Sequence, residues 1–388
     1  VIYLDHAATT PLDPRVRERM LEWLDDAMGF GNPASDHAMG LRARKAVEQA
    51  RAQVAALIGA TPEEIIWTSG ATEANNLALK GALEFRGLER AHVVTSRIEH
   101  KAVLDTCRYL ETRGVRVTYL NPDARGTTDA QAVLDALRPD TALVSLMWVN
   151  NETGVVNPIE ALAPRLRERG VLFHVDAAQA AGRVAIDLSR VPVDLLSLSA
   201  HKLYGPKGAG ALFVRKRPRA RLAPQLHGGG HEQGMRSGTL PTHQLVGMGE
   251  ACAIAAEAMA AEAPRLAALR DRLWSQLAEA LPRIHRNGEP SRVVPALLNV
   301  SFEGVDGESL RARLPALAVS SGAACSSATR EPSYVLRALG RDDELAGASL
   351  RFSLGRTTTG SQIDDAAAQV VDAVRTLRRL SPLWPESA

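Results

Sequence analysis

Along the first two thirds of the chain, short apolar runs alternate with stretches whose apolar residues recur at three- and four-residue spacing. Leu41, Ala46, Val47, Ala50, Val54, Leu57 and Ile58 share one helical face, and Gly59 ends that helix. Apolar runs at 65–67, 92–95, 115–120, 142–149, 171–175, 193–198 and 211–214 read as strands. Helical spacing at 100–113, 130–137 and 159–169 separates several of them. Strands alternating with helices predict an α/β layer on a mostly parallel sheet. From about Leu245 the texture changes. A long helical pattern to Leu281 precedes strands at 297–302, 316–320 and 350–354, with helices near 308–314 and 333–339 and a last one from Ser361. That order is α+β and predicts a second, smaller domain.

A chain of 388 residues exceeds what a single core usually serves, which agrees with two domains. The division expected is a large domain over 15–250 and a smaller one over 251–388, with residues 1–14 packing against the latter. With 45% hydrophobic and 23% charged residues and a net charge of +2, the composition suits a globular protein and asks for neither nucleic acid nor an acidic membrane surface. The basic run from Arg215 to Arg221 is expected to form a solvated loop. No apolar stretch is long enough to span a membrane, and the first residues do not resemble a signal peptide. Cys107, Cys252 and Cys325 are too few and too dispersed for a disulfide framework, so a cytoplasmic location is expected.

Candidate chemistry collects in loops that follow the expected strands, where open α/β sheets place their ligands. The run Val193 to Lys202 ends a buried strand in Ser-Ala-His-Lys and breaks into the glycine-rich turn Leu203-Tyr-Gly-Pro-Lys-Gly-Ala-Gly210. Lys202 there is either a surface charge or a Schiff-base nucleophile. Ser69-Gly-Ala-Thr72, at a strand-to-helix junction, fits a helix cap or a phosphate seat. Asp176 follows an apolar strand, where a buried carboxylate needs a cationic partner. Asn151 lies in a turn after another strand, and His100 after a third. Together these loops supply a phosphate seat, an acid for a ring nitrogen, an amide for a ring oxygen and an amine for an aldehyde. That is the set of parts a pyridoxal phosphate enzyme requires.

The same stretches carry a family resemblance. Tyr-Leu-Asp-His-Ala-Ala-Thr-Thr-Pro (3–11), Gly-Asn-Pro-Ala-Ser (31–35), Thr-Ser-Gly-Ala-Thr-Glu (68–73), Glu-His-Lys-Ala-Val-Leu (99–104), Val-Asn-Asn-Glu-Thr-Gly (149–154) and His-Val-Asp-Ala-Ala-Gln (174–179) follow one another in order. His-Lys-Leu-Tyr-Gly-Pro-Lys-Gly (201–208), the glycine-rich stretch 227–239 and Ser-Ser-Gly-Ala-Ala-Cys (320–325) continue the series. With these motifs nearly the whole chain resembles the class V aminotransferase-fold cysteine desulfurases of the NifS/IscS type. The resemblance implies an aspartate aminotransferase-like fold (fold type I), in which a large domain with a mostly parallel seven-stranded sheet is joined to a smaller α+β domain. It implies removal of sulfur from L-cysteine with pyridoxal phosphate, leaving L-alanine and a persulfide on Cys325. The sulfur would pass to acceptor proteins such as an iron–sulfur scaffold, and also serve tRNA thiolation.

Carried over by position, the resemblance makes Lys202 the covalent anchor of the cofactor and Asp176 the partner of its ring nitrogen. His100 would stack on the ring and assist proton transfer. Asn151 and Gln179 would meet the ring-oxygen region, and Ala71, Thr72, Ser199 and His201 would hold the phosphate. Thr239 would reach the phosphate of a neighbouring subunit, which implies a homodimer. Arg351 would bind the substrate carboxylate as a bidentate fork, with Asn151 beside it. In a complex with an acceptor, Cys325 could also ligate a transient iron–sulfur cluster.

Cys325 stands in a run of small polar residues unsuited to a core, so a mobile, exposed loop is expected there. The distance from Cys325 to Arg351 resembles the long-loop members. Ala200 stands where relatives often carry Gly, and after Trp384 a shorter tail than in scaffold-docking relatives is expected. His227-Gly-Gly-Gly-His231 is a poor metal site, because three glycines argue against the helix that would align the two rings. Two rivals stay open at this level: another pyridoxal phosphate reaction on the same fold, such as transamination or selenocysteine lysis, and a non-catalytic platform in a sulfur relay.

Overall fold

The structure, a computed structural model, describes residues 1–25, 29–89, 91–321, 331–381 and 384. In the first part of the chain the strands are β1 (Ile2–Tyr3), β2 (Ile65–Thr68), β3 (His92–Ser96), β4 (Arg116–Leu120), β5 (Thr141–Met147), β6 (Leu172–Asp176), β7 (Leu195–Ser199) and β8 (Gly210–Val214). The helices among them are α1 (Pro14–Leu21), α2 (Ala38–Leu57), α3 (Ala71–Arg86), α4 (Lys101–Thr112), α5 (Ala130–Asp135) and α6 (Ile159–Glu168). A long helix, α7 (Thr242–Ala280), leads to β9 (Ile284–Arg286), β10 (Leu297–Phe302), α8 (Gly307–Ala312), β11 (Leu317–Ala318), α9 (Tyr334–Ala338), α10 (Asp343–Gly347), β12 (Ser349–Ser353) and α11 (Gly360–Leu380).

Strands β2 to β8 form one seven-stranded sheet in the order β2-β8-β7-β6-β5-β3-β4. Strand β8 pairs antiparallel with both neighbours and the remaining pairs are parallel, so six strands run one way. Successive side chains of a strand face opposite sides of a sheet, and both sides here are apolar. Ile65, Trp67, Leu196, Phe213 and Val175 enter one core with α2, α6 and the first part of α7. Ile66, Leu195, Leu212 and Val93 enter another with α3 and α4. Continuous apolar runs in β2, β3 and β7 are therefore the expected signature of strands covered on both faces.

A second body of core surrounds the antiparallel sheet β12-β10-β9 and includes Leu4, Leu273, Phe302, Phe352, Ile363 and Val370. Helix α7 serves both cores, with Leu245 to Ala255 in the first and Leu266 to Leu277 in the second. Two short strands escaped the sequence pattern. Strand β9 has only three residues, all half-buried, and β1 has two, too few for a period to register.

The basic run is a partial correction. Arg215 is buried, and its guanidinium donates to the carbonyls of Val193, Leu188 and Val191, whereas Lys216, Arg217, Arg219 and Arg221 are exposed. Strand β8 ends at Val214, so Arg215 closes the bottom of the sheet before the chain reaches solvent.

The glycine-rich stretch after residue 226 is held by a buried ion pair. Glu232 accepts from Arg51 Nη1 at 2.7 Å and Nη2 at 2.9 Å, and also from the amide of Trp67 at 2.7 Å. Glu232 and Gln233 both adopt positive φ, +51° and +58°, a conformation side chains resist unless anchored. Glu232→Ala should leave buried Arg51 with only the longer, half-exposed pair to Glu48 at 3.2 Å and lower stability by about 3 kcal/mol in a urea titration, while replacing both partners with apolar residues should cost less. A single-mutant loss under 1 kcal/mol would refute the anchoring role.

Candidate active site

Because β2, β3, β5, β6 and β7 run in the same sense, their C-terminal ends lie on one edge of the sheet. From that edge emerge Ser69 and Gly70 before α3, Glu99 and His100 before α4, Asn150 and Asn151 after β5, Asp176 at the end of β6, and Ser199 to Lys202 after β7. Gly70 sits at φ +156° as the cap of α3, with no side-chain capping bond. A Cβ on Gly210 would lie 2.5 Å from the Gly70 Cα, so the two glycines allow β8 to pass directly beneath the helix start.

The Asp176 carboxylate is buried and fixed on both oxygens: Ala178 N donates to Oδ1 at 2.9 Å and Asn75 Nδ2 to Oδ2 at 2.7 Å. Ser199 Oγ and Asn151 Oδ1 are buried without a hydrogen-bond partner. His100 caps α4 by accepting from Ala102 N on Nδ1 at 3.1 Å, which places the proton of the neutral ring on Nε2. Asn150 shapes the turn beside it, its Oδ1 accepting from the amides of Glu152 and Thr153.

The segment 5–10 lies across this edge. Lys202 Nζ donates to the carbonyls of Ala7 and Ala8, the latter at 2.7 Å, and Gln179 Nε2 donates to Ala7 O at 2.8 Å. Thr10 Oγ1 donates to His201 O at 2.9 Å, and the His201 ring meets Thr9 Oγ1 at 3.2 Å. Arg351, buried on β12, extends Nη1 to Asn151 O at 2.7 Å and Nη2 to Asp5 Oδ1 at 2.8 Å, leaving its Nε buried and unpartnered. The contacts thus join Lys202, His201, Gln179, Asn151 and Arg351 into one cluster whose hub is the N-terminal segment. Gln179 is already engaged on both ends of its amide, by Ala7 and Arg183.

Ala71 is half-buried at the start of α3, while Thr72 and Thr239 are exposed. Cys325 lies outside the described residues, as does any ligand role for it, and among the described residues no three His, Cys, Asp or Glu side chains gather as a metal site. No helix of the described residues is long and apolar enough to cross a membrane. The sequence reading missed Asp5, the carbonyls of Ala7 and Ala8, Asn75 and Glu99. The unbroken motif 3–11 was a signal for the first three. Asn75 carried only a hint, as one of two asparagines inside an otherwise alanine- and leucine-rich helix.

Burial shifts several groups near the site toward their uncharged forms. His201 is pushed down to about 4 by burial and by the nearby Lys202 charge. Glu99, fully buried, has its carboxyl raised well above the ordinary range, first by burial and also by the Asp176 charge. His174, two residues before Asp176, bridges Ser145 Oγ at 2.8 Å and Ser197 Oγ at 2.9 Å and is pushed down to about 4 by burial.

The sequence profile described as Aminotransferase class-V matches residues 2–365. The chain is 59% identical over 384 residues to Cysteine desulfurase IscS of Stutzerimonas stutzeri (strain A1501), covering 99% of this chain and 95% of that one. It is 60% identical, with the same coverage, to Cysteine desulfurase IscS of Pseudomonas aeruginosa (strain LESB58). Among solved structures it is similar to a NifS-like protein (TM-score 0.90, 35% identity, 97% of this chain and 99% of that one). It is also similar to SspA in complex with cysteine (TM-score 0.81, 40% identity, 91% and 99%).

The His174 proton gives a test of the site's electrostatics. An unfolded histidine titrates near 6.5, whereas folded His174 takes a proton only near pH 4, so its contribution to stability is complete above the ordinary range and is lost as pH falls toward 4. Urea titrations from pH 7 to pH 4.5 should show stability falling. His174→Gln should reduce that fall by on the order of 2 kcal/mol. An unaltered slope would mean that His174 is charged in the folded protein.

Proposed function

The chain belongs to the class V aminotransferase family, and from that premise we propose that it is a cysteine desulfurase: it removes sulfur from L-cysteine, releases L-alanine, and carries the sulfur as a persulfide on Cys325 to acceptor proteins of iron–sulfur cluster assembly. The observation that carries this reading is an amine, Lys202, and a buried carboxylate, Asp176, at one sheet edge beside a helix start whose first amides have no side-chain cap. Pyridoxal phosphate fits that donor set. The unpartnered Ser199 hydroxyl and the uncapped amides at Ala71 and Thr72 suit its phosphate, with neutral His201 as a further donor or acceptor. The buried Asp176 carboxylate has no ion-pair partner among the described residues, which suits a protonated ring nitrogen. The unpartnered Asn151 amide oxygen marks a polar position near the ring-oxygen region, where Gln179 would act once released from Ala7.

When bound, with Lys202 holding its aldehyde, pyridoxal phosphate supplies an electron sink for bonds at the substrate Cα. The protein's own groups do the rest. Arg351 grips the α-carboxylate, and a guanidinium already held by Asn151 O is oriented at little further entropic cost. Lys202, once its amine is free, takes the Cα proton, and His100, whose neutral ring carries its proton on Nε2, assists proton transfer. The Cys325 thiolate attacks the substrate sulfur; the Cβ–S bond breaks and its electron pair stays on carbon, Cβ takes a proton, and return of the proton held by Lys202 to Cα yields alanine. Oxidation of the sulfur to the persulfide level is balanced by reduction of Cβ, so no outside oxidant is needed.

Neighbouring subunits would complete the phosphate seat through Thr239, which is exposed on the single chain. The exposed position suits a residue that serves a second copy. Acceptor proteins would take the sulfane sulfur by thiol attack on the persulfide.

With L-cysteine and a thiol reductant, the purified protein should yield alanine and sulfide in equal amounts. Lys202→Ala should lose the cofactor's visible absorbance and all turnover. Cys325→Ala should keep the absorbance and lose sulfide production by at least about a hundred-fold. Sulfide release at the normal rate by Cys325→Ala, or pyruvate with ammonia in place of alanine, would overturn the assignment. Arg351→Lys should raise KM more than it lowers kcat, because a point charge cannot replace a bidentate fork.

A further inference from the structure

Helix α3 touches the site twice. Its first residues, Ala71 and Thr72, follow Gly70 with no side-chain cap. One turn later, about 6 Å along the axis, stands Asn75. Asn75 has no exposed surface, and its Nδ2 donates to Asp176 Oδ2 at 2.7 Å while Ala178 N holds Oδ1 at 2.9 Å. One donor on each oxygen sets the plane of the carboxylate and leaves its remaining lone pairs for a ligand. The donor identity is chemically determined, since the reversed amide would set an oxygen against a carboxylate. The next residue, Asn76, behaves differently: it is on the accessible side and only returns a bond to Thr72 O within the helix.

We propose that Asn75 is a positioning residue for cofactor binding, orienting Asp176 toward the ring nitrogen, so that a single helix sets both the phosphate end and the nitrogen end of the seat. This rests on the reading of the site as a pyridoxal phosphate seat. An amide suits the position where an acid would not. A carboxylate within hydrogen-bond distance of Asp176 would share a proton with it and remove the charge that keeps a pyridinium protonated. Glu99, the other acid near Asp176, is completely buried, and that burial raises its carboxyl well above the ordinary range. Asn75 supplies the orienting bond without adding a charge. Its own Oδ1 has no partner, which a residue retained for packing alone would not require.

The test uses the full chain in apo and loaded forms. Asn75→Leu keeps the buried volume and removes the donor; Asn75→Ala removes both. Equilibrium titration of the apoprotein with pyridoxal phosphate, followed by tryptophan fluorescence, should show about ten-fold weaker binding for both variants. The pH midpoint of the bound cofactor's visible band should move upward by at least half a unit, because a poorly held Asp176 protonates the ring nitrogen less completely. Asn75→Leu should melt closer to the wild-type apoprotein than Asn75→Ala does, yet share its binding defect. Wild-type affinity and an unmoved midpoint in Asn75→Leu would overturn the proposal. Asp176→Ala separates the two levels. If it loses the cofactor while Asn75→Leu does not, only the role of Asn75 fails; if Asp176→Ala binds normally, the reading of the seat itself fails.

Discussion

Everything at this site depends on the shared direction of the strands. A parallel pair needs a crossover, and a crossover helix returns the chain to the same end of the sheet each time. Strands β2, β3, β5, β6 and β7 therefore deliver their following residues to one edge. Ser69, His100, Asn151, Asp176 and Lys202 lie far apart in the chain and are gathered by this rule alone. The apolar cost is met by covering both faces, with α2, α6 and α7 on one side and α3 and α4 on the other.

The second constraint is the N-terminal segment. Leu4 is buried in the core of the antiparallel sheet, and the backbone after it pairs with Ser353 next to Arg351 on β12. From there residues 5 to 10 cross to the parallel sheet and bind Arg351, Gln179, Lys202 and His201 in turn. A guanidinium from one core and an amine from the other are thus held by one short piece of backbone. The positions of both reactive ends follow from how that segment is anchored.

Charge is distributed sparingly. Burial pushes His174 and His201 down to about 4 and raises the Glu99 carboxyl well above its ordinary range. In a medium of low polarity each additional charge would shift its neighbours, so disfavouring charge on these groups limits interference with the chemistry at the sheet edge. The unpartnered atoms of Ser199, Asn151 and Asn75 belong to the same picture. Buried polar groups are ordinarily paired, and their clustering at one edge marks where a polar ligand belongs.

Much of this was legible in the residues. The seven strands of the large sheet, the long helix and the loop residues Lys202, Asp176, His100 and Asn151 follow from apolar periodicity and from motifs contiguous in the chain, because local spacing encodes local structure. What stayed hidden involved either elements too short for a period, such as β1 and β9, or contacts between distant segments. Nothing near Arg215 announces that carbonyls of Leu188, Val191 and Val193 will bury it. Nothing within α3 announces that Asn75 will meet Asp176, 101 positions later. The sequence by itself determined which chemical groups are present and the kind of element each stands on. Tertiary structure alone decided which of them touch, because hydrogen bonds at 2.7 Å depend on the register of strands and the packing of helices, and no pattern within a single segment contains that information.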